Sequence, residues 1–494
     1  MNRLYLLFAA LLGFIPHSIA QVVTLDYSFS EDGSLMTDIS SGAMYSYSMD
    51  VLPNGNIVVG GHQPLTLKVN IYSSNGDSIG TNEPIPGNVW MGVASVVKAL
   101  PDGKFLCNHG YSKLCRYLPD GTLDTTFGTN ACAPLHGVEI VDIAISSNGT
   151  IYGAGRMEGS DSSAVVAFLE NGVPDSSFSG TGILRYLESG IEFFYCIELQ
   201  SDGRLLVSGF SFFEHKVRPA SLLRIYPNGQ LDSTFGVNGR VLDSFTGISE
   251  GYALGVQPDQ KIVMGGYTLP PYMASVARYL PNGERDPAFG DNGVVYLPIG
   301  SEVLDLTIRP DGKLLLLILG AVQSNISGAI MVQLNPDGSI DQTFGTGGFF
   351  YSTITPVQAP CTMVEVGSNK IVTATTSRLP SFYDKLNIQQ FILDFNVGVL
   401  QPNTSLDEAQ VLLYPNPVSQ HIQLQFELQN PETLDIELMD LSGKTLQTVH
   451  QRQLFEAGKQ EVSIPVSDAL PAGTYLLNIS GQGKVLRSVR WVKG

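Results

Sequence analysis

A turn built on Asn or Asp recurs seven times along this chain, at Asn54, Asp102, Asn148, Asp202, Asp259, Asp311 and Asn369, and such a period restricts the fold to a repeat architecture. A second turn, at Asn75, Asp120, Asn171, Asn228, Asn282, Asp337 and Asn396, also occurs seven times. A third marker reads LDTTFG, PDSSFS, LDSTFG, RDPAFG and IDQTFG. It places Asp124, Asp175, Asp232, Asp286 and Asp341 at intervals of 51 to 57 residues, with Phe127, Phe178, Phe235, Phe289 and Phe344 three positions on. Between the turns lie apolar runs of strand length, and in one unit GRVLDSF, GYALGVQ, KIVMGGYT and ASVARYLP follow one another. A four-stranded sheet of ~50 residues cannot cover both its faces alone, whereas copies packed in a ring bury face against face. The expected fold is therefore all-β, a seven-bladed β-propeller over residues 21–400 with the marker phenylalanines in its seams.

The ends of the array point to closure. LDYSFSEDGSLMTD, from Leu25, aligns without gaps on LDSTFGVNGRVLDS, from Leu231, while the last unit, ending QQFILDFNVG, lacks the Asp-x-x-Phe that should follow. What one end lacks the other supplies, which predicts that first and last units interlock and hide a sheet edge.

Composition agrees with many short strands and tight turns: 52 Gly and 28 Pro stand against only 15% charged residues in 494. The net charge of -18 argues against a nucleic-acid partner, which needs a clustered basic face. Residues 1–20 read as a signal peptide: Arg3, an apolar run over residues 4–15, and Ser18-Ile19-Ala20 before a cleavage junction at Ala20 and Gln21. The run is too short to span a bilayer, and no later segment is long and apolar enough to do so. Five cysteines, Cys107, Cys115, Cys132, Cys196 and Cys361, then enter an oxidising compartment, and none shows metal-ligand spacing. Cys107 and Cys115 flank a short turn and are the candidate disulfide across a hairpin, with buried apolar thiols as the alternative.

Residues 401–410 (QPNTSLDEAQ) are polar, lack the repeat markers and read as a linker. From residue 411 the period is gone. Alternation in Ile422, Leu424 and Phe426, and in Ile436, Leu438 and Leu441, predicts a small immunoglobulin-like β-sandwich over residues 411–494.

Two resemblances emerge from these residues. The pattern of apolar strand, PDGK, a strand ending in Gly, then RYLPNGxLDxxFGxxG resembles the bacterial delta-sixty repeat, related in style to NHL-type propellers. The likeness runs from about Leu25 to Leu400 and is weaker where NGDSIG has lost the phenylalanine. It implies a propeller and no common ligand. The C-terminal segment resembles the type A sorting domain of type IX secretion cargo from the Bacteroidetes. The match rests on Tyr414, Pro415, Asn416 and Pro417 (YPNP), the MDLSGK turn with Gly443, PAGTY with Gly473 and Tyr475, and the basic ending up to Lys493. This resemblance implies recognition by the type IX secretion machinery, passage through the periplasm, and release or lipid attachment at the outer-membrane surface once the domain is removed.

No catalytic constellation stands out. Gly247-Ile248-Ser249-Glu250-Gly251 matches a nucleophile elbow formally, but links two expected strands and occurs once. The recurring aspartates could serve calcium, yet two carboxylates per turn fall short of about six oxygens, so Asx-turn capping is expected. Among the histidines, His62 and His109 follow the same strand in adjacent units, and a surface role is expected over a metal site. The loops that break the repeat, SFFEH with Phe212 and Phe213 and TLPPYM with Tyr272, are the candidate ligand contacts. The expectation is a monomeric, non-enzymatic scaffold without cofactor that binds a protein or glycan outside the cell. The alternative is an extracellular glycan hydrolase or lyase, with carboxylates converging from several blades.

Overall fold

The computed structural model describes the chain from Ala20 to Lys493 apart from residues 31–32, 39–46, 64–65, 82–95, 110–111, 188–190, 214–217, 245–247, 324–325, 353–356, 368, 379–383, 397–411, 415–419, 429, 440–444, 468–469, 472 and 482–483. The expected signal residues 1–19 and linker 401–410 lie outside the described residues. One compact unit spans Val23–Asp394 and a second is built on Phe395–Gly494. Every regular element among the described residues is a strand.

In the first unit the described strands form seven sheets. Six are four-stranded antiparallel meanders over residues 47–81, 97–134, 138–186, 191–243, 248–296 and 302–351, here the first to sixth sheets. The seventh joins Val357–Val366, Lys370–Arg378 and Asp384–Asn396 to two N-terminal strands, Ala20–Leu25 and Ser34–Asp38. Middle strands such as Leu205–Phe212 and Ile262–Leu269 are buried at nearly every position, so they read as unbroken apolar runs: both faces of each sheet are covered. The cover is the neighbouring sheet. Phe235, for example, packs with Leu206 and Leu222 of the fourth sheet and Ile262, Met264 and Tyr279 of the fifth. The same kind of cluster joins last to first, where Phe29, Met49, Ile57 and Val59 meet Val372, Ala374, Leu386 and Ile388. The ring is closed, and the fold is a β-propeller.

The marker residues explain themselves in this frame. Asp232 Oδ1 accepts hydrogen bonds from the Thr234 amide (3.1 Å) and hydroxyl (2.6 Å), an Asx-turn. Its Oδ2 accepts from Arg224 (2.8 Å) and Arg204 (2.6 Å). Burial pushes the carboxyl pKa up, but the bonds from Thr234 and Arg204 outweigh it and hold Asp232 well below the carboxylate range. Asp124 repeats the device with Arg116 and Lys104, and Asp286 with Arg278 and Lys261. Arg224 then lies 4.5 Å from the Phe235 centroid and donates to the Pro281 carbonyl of the next sheet. The turn glycine of that next sheet is needed for space as well as for its positive φ. At Gly283 (φ 90°) an added Cβ would stand 3.0 Å from the Phe235 ring and 2.9 Å from the Gly236 nitrogen. Phe235 is fully buried, so Phe235→Ala should lower stability by ~3–5 kcal/mol, read as a fall in urea midpoint.

The N-terminus completes the seventh sheet as its alignment predicts. Ser34–Asp38 pairs antiparallel with Asp384–Asn396, Ser34 opposite Gln389. Asp26 takes the marker-aspartate role with Lys370 (2.7 Å), and the Ser30 amide donates to Asn75 O (2.7 Å) in the first sheet. Ala20 and Gln21, the expected cleavage junction, open the strand Ala20–Leu25.

The disulfide differs from the sequence expectation. Cys107 does stand opposite Cys115 across the hairpin, but the bond joins Cys115 to Cys132, and Cys107 is a buried free thiol. Neighbouring residues of a strand turn their backbone groups to opposite sides. The Arg116 amide donates to Ala131 O toward the outer strand, so Cys115 turns its own groups toward Cys107. Cys115 and Cys107 thus form the wider, hydrogen-bonded kind of pair. Cys115 and Cys132 form the closer kind, with Cα atoms 4.0 Å apart. Burial pushes the Cys107 thiol up to about 12, which keeps it inert.

The second unit consists of a three-stranded sheet (Leu412–Tyr414, His421–Leu428, Gly458–Pro465) and a four-stranded sheet (Thr445–Phe455, Glu432–Met439, Gly473–Gly481, Lys484–Lys493). Ile422, Leu424 and Phe426 of one and Ile436, Leu438 and Leu477 of the other share one core around Trp491. Ile422, Leu424, Phe426, Ile436 and Leu438, read from the sequence as one buried face, point into this core, and Leu441 lies outside the described residues.

Candidate binding rim

The first strands of successive sheets lie side by side around the inside of the ring. Their first residues pair at or near the ends of the second strands: Ile191 with Phe212 and Ile248 with Leu269 at the last residue, Glu302 with Leu319 four residues before the end. The start of each first strand and the loop after each second strand therefore share one rim. Residues 212–213 and 218–219 of one loop that breaks the repeat, and 269–272 of the other, lie there. Each such loop also touches the next sheet, as when the Ser249 amide donates to Arg218 O (2.7 Å). Phe212 and Tyr272 are 38% and 50% exposed, whereas Phe213 is half-buried beside Arg240. His215 falls outside the described residues.

Between these loops runs a file of aromatic rings. Phe193 stacks on Phe210 (4.8 Å between centroids), Phe210 meets Tyr195 (5.7 Å), and Tyr195 meets Tyr252 of the next sheet edge-on (4.9 Å). Tyr252 then meets Tyr267 (5.9 Å), and Tyr267 meets Tyr272 at right angles (5.0 Å). Arg218 lies over Phe210 at 3.9 Å. Sequence reasoning found only the last ring, because the others belong to strands that fit the repeat.

Three glutamates accompany the rings at equivalent places. Glu139, Glu250 and Glu302 pair with Arg156, Tyr267 and Leu319, each two residues before a bulged residue in its first strand. All three stand nine residues before the turn residues Asn148, Asp259 and Asp311, a recurrence present in the sequence itself. Glu139 is buried against Arg156 (2.6 Å). Glu250 is buried against Arg218 (2.5 Å) and accepts from Tyr252 (2.9 Å) and Tyr267 (2.7 Å). Glu302 is half-buried and accepts from the Tyr272 hydroxyl (3.2 Å). Burial pushes its carboxyl up, Tyr272 pulls it partly back, and Glu250 adds to the rise.

Deeper in the ring, Asp50, Asp142 and Asp305 each accept a backbone amide from the next first strand: Ala99, Ile197 and Met363, at 2.8 to 2.9 Å. They cap donors that would otherwise face the lumen unpaired. Burial pushes Asp305 up to about 6 despite the Met363 bond. Lys98 offsets part of this charge, for burial would lower its pKa but Asp50, Asp142 and Glu198 raise it. Among the described residues no group of three or more His, Cys, Asp or Glu is placed to hold a metal.

The other sequence candidates have structural roles. Ser249 lies inside a strand, fully buried beside Thr268 at 3.5 Å, with no elbow around it. His109, expected at the surface, is buried on Tyr117 (2.7 Å), and burial lowers its pKa to about 4; the side chain of His62 is not among those described. In the second unit Tyr414 ends a strand, opposite Gln423. Pro415, Asn416, Pro417 and Gly443 lie outside the described residues. Gly473 pairs with Lys493, whose ammonium donates to Ser467 O (2.6 Å). Tyr475 stacks on Trp491 (5.0 Å) and donates to Pro471 O (2.7 Å), so the PAGTY segment and the basic ending hold one another.

Residues 412–492 match the family described as secretion system C-terminal sorting domain. Residues 110–127, 200–235, 257–289 and 309–344 match the domain of unknown function (DUF5122) beta-propeller. No curated protein matches the chain. Similar solved structures include a protein of unknown function from Dyadobacter fermentans, 13% identical, covering 73% of this chain and 100% of its own, with a TM-score of 0.40. Another is Sqt1 from Chaetomium thermophilum, 14% identical, covering 74% and 98%, with a TM-score of 0.40. At these values neither bears on function. The chain is a β-propeller protein with a type IX sorting tail, sent to the cell surface or released.

Proposed function

We propose that the exported propeller is a binding scaffold and not an enzyme, and that it takes a protein or glycan ligand on the rim carrying Phe212 and Tyr272. The observation that supports this most is the file of rings from Phe193 to Tyr272, which crosses a seam between two sheets and ends at a half-exposed tyrosine. Stacked and edge-on rings hold a contact surface rigid at small entropic cost, which suits recognition. A hydrolase or lyase at this rim would need two carboxylates open to substrate. Glu250 is already engaged by Arg218, Tyr252 and Tyr267.

The test is a protein and glycan array probed with the full chain, beside a glycan hydrolysis screen. Phe212→Ala with Tyr272→Ala should weaken the captured interaction by about tenfold or more while the melting temperature stays nearly constant. Turnover of a glycan that disappears with Glu302→Gln would replace the scaffold reading by the enzymatic one.

A further inference from the structure

The ring carries its own control for what the rim of the fifth and sixth sheets lacks. Ala220 and Ala274 pair with the equivalent residues Phe210 and Tyr267, so Arg218 and Tyr272, each two positions earlier, occupy the same place in successive repeats. Where the fourth sheet meets the fifth, that place holds a guanidinium lying over Phe210 and bridged to Glu250. Where the fifth meets the sixth, it holds a tyrosine, and the equivalent Glu302 has no Lys, Arg or His partner among the described residues. Tyr272 stands beside it, half-exposed and at right angles to the buried Tyr267. A carboxylate beside an exposed ring, with no cation, is the acceptor half of the arrangement that the neighbouring repeat completes internally.

We propose that Glu302 and Tyr272 form a subsite for an arginine side chain of a protein partner, whose guanidinium pairs with Glu302 beside the exposed Tyr272 ring as Arg218 pairs with Glu250 in the preceding repeat. The assignment rests on the rim reading above and names the ligand class for it. Arginine is favoured over a simple ammonium because the internal precedent is a planar guanidinium laid on a ring while it bridges a glutamate. The net charge of -18 draws a basic partner toward the protein and leaves the choice of subsite to these residues.

The full chain labelled with 3-fluorotyrosine can be titrated with a blocked Gly-Gly-Arg-Gly-Gly peptide, its citrulline counterpart and glucosamine, following the fluorine resonances. The arginine peptide should shift Tyr272, and citrulline, equal in shape but uncharged, should bind at least tenfold more weakly. Glu302→Gln should weaken the arginine peptide at least tenfold. Tyr272→Arg should abolish its binding without lowering the melting temperature, since it rebuilds the ion pair of the preceding repeat. Equal binding of citrulline, preference for glucosamine, or unchanged binding by Tyr272→Arg would overturn the subsite. Loss of macromolecular capture in the Phe212 and Tyr272 alanine variant, with no response to the arginine peptide, would overturn it while the rim reading survives. An arginine response that depends on Glu302, without any capture on the array, would sustain the subsite and sink the wider reading.

Discussion

Removing residues 411–494 should leave a folded propeller that stays behind the outer membrane. The two units have separate cores: the first closes its ring with its own N-terminal strands, and the second packs its strands around Trp491. The truncated chain should therefore melt as cooperatively as the propeller does within the full chain. Its destination should change, because the match to the sorting family lies wholly in the part removed. Fractionation with an antibody to the propeller should find it in the periplasm and nearly absent from surface and medium. Joining residues 401–494 to an unrelated exported protein should carry that passenger out in a host with type IX machinery. Surface delivery of the truncated chain at normal levels would reassign the second unit to binding.

Deleting residues 21–38 should have the largest effect on stability. The deletion removes both N-terminal strands from the seventh sheet, the Asp26 to Lys370 ion pair, and Phe29, which is fully buried between the seventh and first sheets. Loss of a buried phenylalanine alone costs about 3–5 kcal/mol, and the strand Asp384–Asn396 would in addition expose an unpaired edge. That sum is comparable with the whole stability of an ordinary domain, ~5–15 kcal/mol. The expected result is aggregation on expression, or a melting temperature lower by more than ten degrees, about what such a loss implies even for a large domain. An unchanged melting temperature would mean that the ring closes without these strands.

Much of the propeller was legible because its markers are local chemistry. A turn needs its Asx residue and glycine, a seam needs its phenylalanine, and both leave a fixed spacing in the chain. Closure was legible for the same reason, since Leu25 begins a gapless copy of the stretch from Leu231. The rim was legible only in part. Phe212 and Tyr272 broke the repeat and drew notice, whereas Tyr195, Tyr252 and Glu250 conform to it and become a cluster only when one sheet is laid against the next. The disulfide was misplaced because hydrogen-bonded and non-hydrogen-bonded pairs alternate along a strand, and spacing alone does not say which kind Cys107 and Cys115 make. His109 was misplaced because its partner, the Tyr117 hydroxyl, comes from the facing strand.

The pairing of Ser34–Asp38 with Asp384–Asn396 joins segments made about 350 positions apart. A chain is synthesised from its N-terminus, so the first two strands to appear, Ala20–Leu25 and Ser34–Asp38, must wait for the last. Each meander can form as it emerges, for its contacts are local. The final seam closes the longest loop of the unit, the costliest single closure it makes. Until that step the two leading strands are unpaired, and anything that guards them in transit, a chaperone or the translocation channel itself, acts on residues 20–25 and 34–38 before any other part of the molecule needs protection.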